Sequence, residues 1–308
     1  MAADVRAGLT RPFKELSPRY FYDRRGSELF EQITQLPEYY PTRCEREILE
    51  TRAAEICEAA NGPAALIELG SGSAQKTRVL LDAMLETCSL KTYCPVDISE
   101  AITKQTAEQI AQEYEGIEVR GLVCDFELDL ERIPVAGPRV IALLGGTIGN
   151  FAPQQRAGFL RRISNLLGPE DRFLLGTDLV KDRETLEAAY NDSQGVTAAF
   201  NKNVLEVLNN ELGADFDCDQ FEHVARWDDD NLWVDIRLRS LSHQVVNIEA
   251  LDLMAAFTAG EEMRTEISTK FARPGLEGIY AEAGLEITDW WTDSEGLYGL
   301  SLARSTLS

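Results

Sequence analysis

The sequence predicts an α/β fold with a doubly wound, mostly parallel sheet of seven strands and a second, α+β domain. Between residues 44 and 180, short apolar runs alternate with helical patterns, which is typical of strands joined by crossover helices. This alternation stops at residue 181 and resumes at 271, which indicates an insertion. We expect one domain over 44–180 and 271–308, and a second over 1–43 and 181–270.

The chain is strongly acidic, with 52 acidic and 30 basic residues among 308 and a formal net charge of −22. An acidic surface repels a phosphate backbone, so we expect no nucleic-acid partner. No apolar run approaches the ~20 residues needed to cross a bilayer, and the first residues lack a signal-peptide core. We therefore expect no membrane partner and a cytoplasmic location, and nothing in the pattern requires an oligomer.

Cysteine and histidine give no sign of a metal site. The two histidines, His223 and His243, are too few for a typical zinc site and are predicted as surface or strand residues. No Cys-x-x-Cys pair occurs, and several cysteines lie in apolar runs, as small core residues do. The cysteines are Cys44, Cys57, Cys88, Cys94, Cys124 and Cys218.

The first 43 residues are rich in turns, prolines and tyrosines, with a short helical pattern at 27–33. Prolines hold the neighbouring tyrosines in extended or turn geometry. These rings could pack over a neighbouring domain, or their hydroxyls could line a pocket, and the sequence favours neither. A helix over 45–60 then leads into the first strand.

The first strand ends in a glycine turn, Glu68-x-Gly70-x-Gly72-x-Ala74, which opens a helix. Gly70 can adopt backbone angles that a side chain disfavours, and Gly72 lets the main chain approach a ligand. A dinucleotide fingerprint would place a third glycine where this chain has Gln75. The turn therefore favours an adenosyl ligand without a pyrophosphate, such as S-adenosylmethionine, although a tight turn with no ligand would show the same glycines.

Acidic residues follow the next two strands. The second strand, over 91–96, ends in Asp97, where a carboxylate can accept both hydrogen bonds from a ribose diol. The third, over 117–124, ends in Asp125-Phe126, where the acid can accept from an adenine amine and the ring can stack. The helix between them is predicted to bury one face, comprising Ile98, Ala101, Ile102, Ile110 and Ala111.

The fourth strand, 139–144, is an almost unbroken apolar run, as expected for burial on both faces of a parallel sheet. It ends in a glycine-rich loop, 145–150, which should face the same crevice as Gly70, because ligands of such sheets bind at the carboxyl ends of strands. A helix over 154–167 and a fifth strand over 172–176 follow.

The insertion begins with helical patterns at 185–190 and 196–212 and continues with strands. In 232–238, four aliphatic residues alternate with Trp233, Asp235 and Arg237, which predicts a half-buried strand of an antiparallel sheet. The apolar residues are Leu232, Val234, Ile236 and Leu238.

After the insertion, a helix over 276–283 precedes two closing strands, 285–290 and 297–302. An antiparallel closing pair is typical of a seven-stranded methyltransferase sheet, whereas a Rossmann oxidoreductase would continue into a second βαβαβ half.

Long blocks of the chain resemble the S-adenosylmethionine-dependent histidine Nα-methyltransferases of ergothioneine biosynthesis. The resemblance runs over nearly the whole sequence and implies a Rossmann-like class I methyltransferase sheet with a second domain that binds the substrate. The matching blocks are 21–23, 26–30, 36–43, 68–72, 146–150, 175–181, 195–201, 259–263 and 290–293.

The resemblance implies a cofactor site for S-adenosylmethionine. Lys76 would meet the cofactor's carboxylate, and Gly145 would lie near the sulfonium. The implied cofactor residues are Gly70, Lys76, Asp97, Asp125, Phe126 and Gly145.

The resemblance also implies a site for an amino-acid substrate, formed by Tyr39, Asn150, Tyr190, Glu266 and Ser268, with Tyr39 and Asn150 as its catalytic residues. Asn150 and Tyr190 would hold the α-amino and carboxylate groups. Glu266 and Ser268, alternate residues on one face of an extended stretch, would meet an imidazole.

One position departs from the family pattern. Ile236 stands where the family often carries a methionine near the imidazole. Both side chains are apolar, so the difference concerns the shape of the pocket.

The expected activity is three successive methyl transfers to the α-amino nitrogen of L-histidine, giving the betaine hercynine in the first step of ergothioneine biosynthesis. L-histidine and its mono- and dimethyl forms are then the partners. An alternative is an N-methyltransferase for another aromatic amino acid or amine, but an indole or phenyl pocket would leave Glu266 without an imidazole to meet. A non-catalytic adenosyl-ligand sensor is a third possibility, disfavoured because it would not need a second amino-acid pocket.

Overall fold

The structure is a computed structural model that describes residues 1–87, 90–133 and 137–307, so Cys88 lies outside the described residues. The chain divides into two compact units. The sheet unit comprises residues 41–180 and 271–308, and the inserted unit comprises 1–40 and 181–270. The first boundary falls at residue 40, where the sequence predicts 43, because the helix that starts at Pro41 belongs to the sheet unit.

The helices and strands are numbered in chain order. The helices are α1 (Ala2–Leu9), α2 (Arg24–Ile33), α3 (Pro41–Ala59), α4 (Thr77–Thr87), α5 (Glu100–Glu113), α6 (Pro153–Leu166), α7 (Arg183–Ala189), α8 (Val196–Leu212) and α9 (Arg273–Glu282). The strands are β1 (Ala65–Leu69), β2 (Thr92–Asp97), β3 (Glu118–Val119), β4 (Leu122–Val123), β5 (Arg139–Leu143), β6 (Arg172–Asp178), β7 (Phe221–Asp228), β8 (Trp233–Ser240), β9 (Gln244–Ile248), β10 (Leu253–Phe257), β11 (Glu262–Thr269), β12 (Leu285–Thr292) and β13 (Tyr298–Ser305).

The sheet unit contains one twisted sheet in the order β12-β13-β6-β5-β1-β2-β3, with β4 also paired to β2. Strands β1, β2, β5 and β6 pair in parallel, and β13 runs antiparallel to both β6 and β12. The predicted fold class is therefore confirmed, including the antiparallel closing pair.

The third strand is interrupted, whereas the sequence predicts one continuous strand over 117–124. Strands β3 and β4 are short pieces that each pair with β2. Between them, Gly121 lies against α5, where an added Cβ would be 3.1 Å from the methyl carbon of Thr103. This close approach of helix and backbone breaks the ladder at the glycine.

Helix α5 buries a different face from the predicted one. Its buried residues are Thr103, Thr106 and Ile110, of which only Ile110 was predicted, and Ile98 lies before the helix with half of its surface exposed. The Thr106 hydroxyl donates to the carbonyl oxygen of Gly72 at 2.7 Å. Threonine residues thus take positions where apolar side chains are expected, and one of them ties the helix to the glycine turn.

The core of the sheet unit is mostly apolar, and a buried ion pair lies at the amino ends of β5 and β6. Every residue of β1 and β5 is buried, as predicted for the fourth strand. Arg139, which is 1% exposed, donates from Nε to Asp171 Oδ2 at 2.9 Å. The second oxygen of Asp171 accepts the Arg139 backbone N–H at 3.1 Å.

The inserted unit contains a three-stranded antiparallel sheet, β11-β8-β7, and a two-stranded ribbon of β9 and β10. Strand β8 lies in the centre, and its Val234, Ile236 and Leu238 are buried as predicted. Leu232 is an exception, because it lies in the preceding turn with a φ of 54° and is 41% exposed.

The cysteines follow their predicted role. Cys44, Cys57, Cys94 and Cys124 are buried free thiols, and Cys218 is half-buried. Within the described ranges of the chain, every helix is too short or too polar to cross a bilayer.

The Arg139–Asp171 pair gives a prediction about stability. Asp171→Asn removes the charge that faces a buried guanidinium, so we expect the free energy of unfolding to fall by about 1.5–3 kcal/mol. Urea denaturation followed by circular dichroism measures this change. The variant should bind S-adenosylhomocysteine as the wild type does, because the pair lies at the end of the sheet away from the glycine turn; a loss of ligand affinity would contradict this.

Candidate active site

The glycine turn after β1 contains three residues in the left-handed region. Gly70 has φ 68°, Gly72 has φ 50° and Ala74 has φ 53°. The Gly70 N–H donates to the carbonyl of Val96 at 2.8 Å, which joins the turn to the end of β2. Left-handed angles favour glycine, which explains the two glycines in the motif.

Glu68 fixes this turn from inside the sheet unit. Its carboxylate is buried and accepts the hydroxyl of Thr77 at 2.5 Å and the hydroxyl of Tyr93 at 2.6 Å. These contacts link β1 to the first residue of α4 and to β2. Burial raises the pKa of Glu68 to about 7, against the opposite effect of the two hydroxyl donors.

Asp97 lies beside the glycine turn. One carboxylate oxygen accepts the Gly72 N–H at 3.1 Å, and the other accepts the Ser99 N–H at 3.0 Å. A carboxylate oxygen has more than one acceptor direction, so these bonds do not prevent Asp97 from accepting from a ligand diol.

Phe126 lies over the other glycine of the turn. A Cβ added at Gly70 would be 3.5 Å from the Phe126 ring, which also packs edge-on against Phe159 with 6.2 Å between centroids. Next to it, Asp125 Oδ1 accepts the N–H of Glu127 at 2.9 Å. The structure thus brings Gly70 and Phe126 together, as it does Gly72 and Asp97.

Lys76 and Gly145 are joined by a residue that sequence reasoning missed. Glu45 of α3 forms an ion pair with Lys76, and it accepts the Gly145 N–H at 2.7 Å. The sequence does indicate that Glu45 is unusual, because this acid lies on the face of α3 that also carries the apolar residues Ile48 and Leu49. Asn150 ends the short 3₁₀ helix Thr147–Asn150 that follows β5, and it is half-buried.

The other predicted substrate residues belong to the inserted unit, where Tyr190 and Ser268 meet. Their hydroxyl oxygens are 2.7 Å apart. The ring of Tyr39 packs edge-on against that of Tyr190, with 6.2 Å between centroids. Lys270, which is 1% exposed, donates to the Tyr190 and Ser268 oxygens at 2.8 Å each.

Lys270 was not predicted, although its signal was present in the sequence. Glu266, Ser268 and Lys270 continue one alternation along β11 and past its end. Across the sheet, Glu266 is paired with Ile236, so the position that departs from the family pattern is its direct neighbour on β8.

The two histidines have different surroundings. His223 lies in β7, its Nδ1 accepts from the Asn201 amide at 2.8 Å, and its Nε2 donates to the carbonyl of Tyr190 at 2.8 Å. Burial lowers the pKa of His223, so the ring is neutral and holds the backbone at Tyr190. His243 is exposed. Among residues 1–87, 90–133 and 137–307, no group of three or more His, Cys, Asp or Glu residues could hold a metal ion.

Comparison with known proteins identifies the family of this chain. The family model described as "Histidine-specific methyltransferase, SAM-dependent" matches residues 1–305. The chain belongs to this family. It is an S-adenosylmethionine-dependent methyltransferase, as the sequence predicts.

Relatives resemble this histidine-specific methyltransferase over most of its length. A histidine N-alpha-methyltransferase of Mycolicibacterium smegmatis is 53% identical over 97% of this chain and 93% of its own. One of Mycobacterium tuberculosis is 50% identical, with the same coverage of both chains. Ergothioneine biosynthesis protein 1 of Neurospora crassa is 30% identical over 96% of this chain and 34% of its own.

The turn of this methyltransferase suits an adenosyl ligand. A Cβ added at Gly72 would meet no atom of the described residues within 4 Å, so the backbone is open to close approach. Asp97 supplies acceptors beside this opening, and Phe126 supplies an aromatic ring beside Gly70.

Glu68 gives a prediction about pH. Its pKa in the folded state, about 7, lies above the ordinary value of 4.5, so folding favours the protonated acid. Stability from this group is present at low pH and is lost as pH rises from about 4.5 to 7, by on the order of 3 kcal/mol. Glu68→Gln has no such proton to lose, and urea denaturation between pH 5 and 8 should show a smaller decline in its stability than in that of the wild type. Parallel declines would contradict the assignment.

Asp97 gives a prediction about the cofactor. Asp97→Ala removes a charged acceptor beside the turn, so we expect the affinity for S-adenosylhomocysteine to fall about 10- to 100-fold. Isothermal titration measures it, with Glu286→Ala as a control that removes an exposed acid of the same unit. Normal affinity in Asp97→Ala would show that Asp97 does not contact the cofactor.

Proposed function

We propose that this chain transfers methyl groups from S-adenosylmethionine to the α-amino nitrogen of L-histidine. Three successive transfers give hercynine, the first step of ergothioneine biosynthesis. The observation that carries the proposal is the match of residues 1–305 to a family specific for histidine and dependent on S-adenosylmethionine.

The sheet unit holds the methyl donor. S-adenosylmethionine supplies an electrophilic methyl group on a sulfonium. Asp97 accepts from the ribose hydroxyls, Asp125 accepts from the adenine amine, and Phe126 contacts the adenine ring. The contact of Asp97 with Gly72 and the proximity of Phe126 to Gly70 support this assignment, because they bring these residues to one loop cluster.

Lys76 and Gly145 complete the donor site. Lys76 provides the positive charge for the donor's carboxylate, and the backbone at Gly145 lies near the sulfonium. Their common contact with Glu45 supports this assignment, since it brings Lys76 and Gly145 close together.

The inserted unit supplies acceptors and hydroxyls for the amino-acid substrate. Glu266 accepts from the imidazole N–H, since an ionised carboxylate is an acceptor only. Tyr190 and Ser268 bind polar groups of the substrate. Lys270 can only donate, so both hydroxyl oxygens accept from it. The Tyr190–Ser268 hydrogen bond uses one of the two hydroxyl protons.

Tyr39 and Asn150 orient the reacting amine. The α-amino group of a free amino acid is mainly protonated near pH 7, because its pKa lies above the value of about 7.7–8.0 of a chain-terminal amine, so the bound substrate releases a proton before its nitrogen attacks the methyl group. Alignment of two bound reactants can contribute about 7–11 kcal/mol, so positioning suffices as the main source of catalysis. The aromatic ring of Tyr39, packed against Tyr190, can also tolerate the cationic trimethylammonium group of the product.

Mass spectrometry of turnover tests this function. The enzyme is incubated with S-adenosylmethionine and equal concentrations of L-histidine and L-tryptophan. We expect mono-, di- and trimethylhistidine in sequence. Methylated tryptophan without methylated histidine would replace the proposal with the other-substrate alternative, and no methylated product would favour a sensor. A cytoplasmic location and activity without an oligomer stay predictions from the sequence.

Glu266 gives a prediction about the substrate. Glu266→Ala removes a charge-assisted hydrogen bond worth about 1.5–3 kcal/mol, so histidine should bind about 10- to 100-fold more weakly. Isothermal titration with histidine in the presence of S-adenosylhomocysteine measures it, and Glu277→Ala, which removes an exposed acid of α9, is the control. If both variants bind histidine with equal affinity, Glu266 does not contact the substrate.

A further inference from the structure

Glu45 is a fully buried carboxylate in the second turn of α3, with 0% of its surface exposed. Removing a carboxylate from water carries a large free-energy cost unless donors fill its oxygens. The surroundings of Glu45 therefore show what the protein gains by keeping an acid there.

Three donors from separate parts of the sheet unit converge on this carboxylate. Oε1 accepts the backbone N–H of Gly145 at 2.7 Å and the hydroxyl of Tyr298 at 2.8 Å. Oε2 accepts from the Lys76 ammonium. One side chain thus joins the turn before α4, the loop after β5 and the start of β13.

Strand β6 provides the space for this arrangement. A Cβ added at Gly176 would be 2.2 Å from Glu45 Oε1 and 2.6 Å from the Tyr298 hydroxyl. No side chain larger than glycine fits there without moving the carboxylate. The glycine in the middle of a buried strand is explained by this close approach.

We propose that Glu45 is a positioning residue of the methyl-donor site, holding the Lys76 ammonium and the backbone at Gly145 where the methyl donor binds. The proposal rests on the proposed contact of Lys76 with the donor's carboxylate. An ammonium has three N–H donors, so the bond to Glu45 leaves others for a ligand. A lysine that is already fixed also loses less side-chain entropy on binding.

The opposite effect is competition, in which the Glu45 charge neutralises Lys76 and weakens its attraction for a ligand carboxylate. The two effects differ in sign. Positioning predicts weaker binding of the donor when Glu45 loses its charge, and competition predicts equal or tighter binding.

The test uses two ligands that differ in the group that Lys76 contacts. S-adenosylhomocysteine has the amino-acid tail, and 5′-methylthioadenosine lacks it. In Glu45→Gln, a neutral amide faces the ammonium, and we expect S-adenosylhomocysteine to bind about tenfold more weakly or worse in isothermal titration. The affinity for 5′-methylthioadenosine should stay within about twofold of wild type. Asp171→Asn, which neutralises another buried acid of the same unit, should change neither affinity.

Two further variants connect the effect to Lys76. Lys76→Met should show the same ligand-selective loss, and Glu45→Gln should add little to it, because residues that act through one contact are not additive. Should Glu45→Gln not fold, Glu45→Asp keeps the charge on a shorter side chain and should show the same selectivity.

Three results would overturn the proposal. Unchanged or tighter binding of S-adenosylhomocysteine would show competition, and equal losses for both ligands would show a purely structural role. If Lys76→Met changes the affinities for the two ligands by the same factor, Lys76 does not contact the carboxylate of the methyl donor. The proposed role of Glu45 is then wrong as well. Methyl transfer to histidine by the wild type, measured separately, is unaffected by any of these outcomes.

Discussion

A carboxylate that is withdrawn from water needs donors for both of its oxygens, and the sheet unit contains two such groups next to the candidate site. Glu68 is filled by the hydroxyls of Thr77 and Tyr93, and Glu45 by a lysine, a tyrosine and a backbone N–H. In both cases the donors come from separate parts of the chain. The geometry of the glycine turn depends on the Glu68 contacts, because they fix β1, β2 and the start of α4 relative to one another.

The inserted unit uses neutral groups for the same purpose. Asn201 is 1% exposed; its amide donates to His223, and its oxygen accepts the hydroxyl of Thr265 at 2.6 Å. His223 in turn holds the carbonyl of Tyr190. This chain of contacts runs from α8 to the Tyr190 backbone, so the tyrosine that meets Ser268 and Lys270 is fixed at both its main chain and its hydroxyl.

Much of the fold could be predicted from the sequence, because local patterns carry the information. The apolar run of β5 and the antiparallel ending define the sheet, and the glycine turn and Asp97 predict the edge at which a ligand binds. The buried face of α5 could not be predicted, since Thr103 and Thr106 pack as apolar residues while Thr106 also bonds to Gly72. Glu45 was missed for another reason: its partners Gly145 and Tyr298 lie far along the chain. Lys270, by contrast, continues the alternation of Glu266 and Ser268.

The position of β13 between β6 and β12 has a consequence for synthesis of the chain. Strand β6 pairs along one edge with β13, in a register that sets Asp178 opposite Tyr298. The inserted segment 181–270 lies between these two strands in the sequence, so it is synthesised after β6 and before β13. Until β13 emerges from the ribosome, one edge of β6 is unpaired. The sequence of β6 is apolar and is buried in the folded protein, so this open edge is prone to aggregation. Pairings between residues so distant in sequence also form slowly. Early folding of the inserted segment as its own compact unit shortens the effective loop that β13 must close.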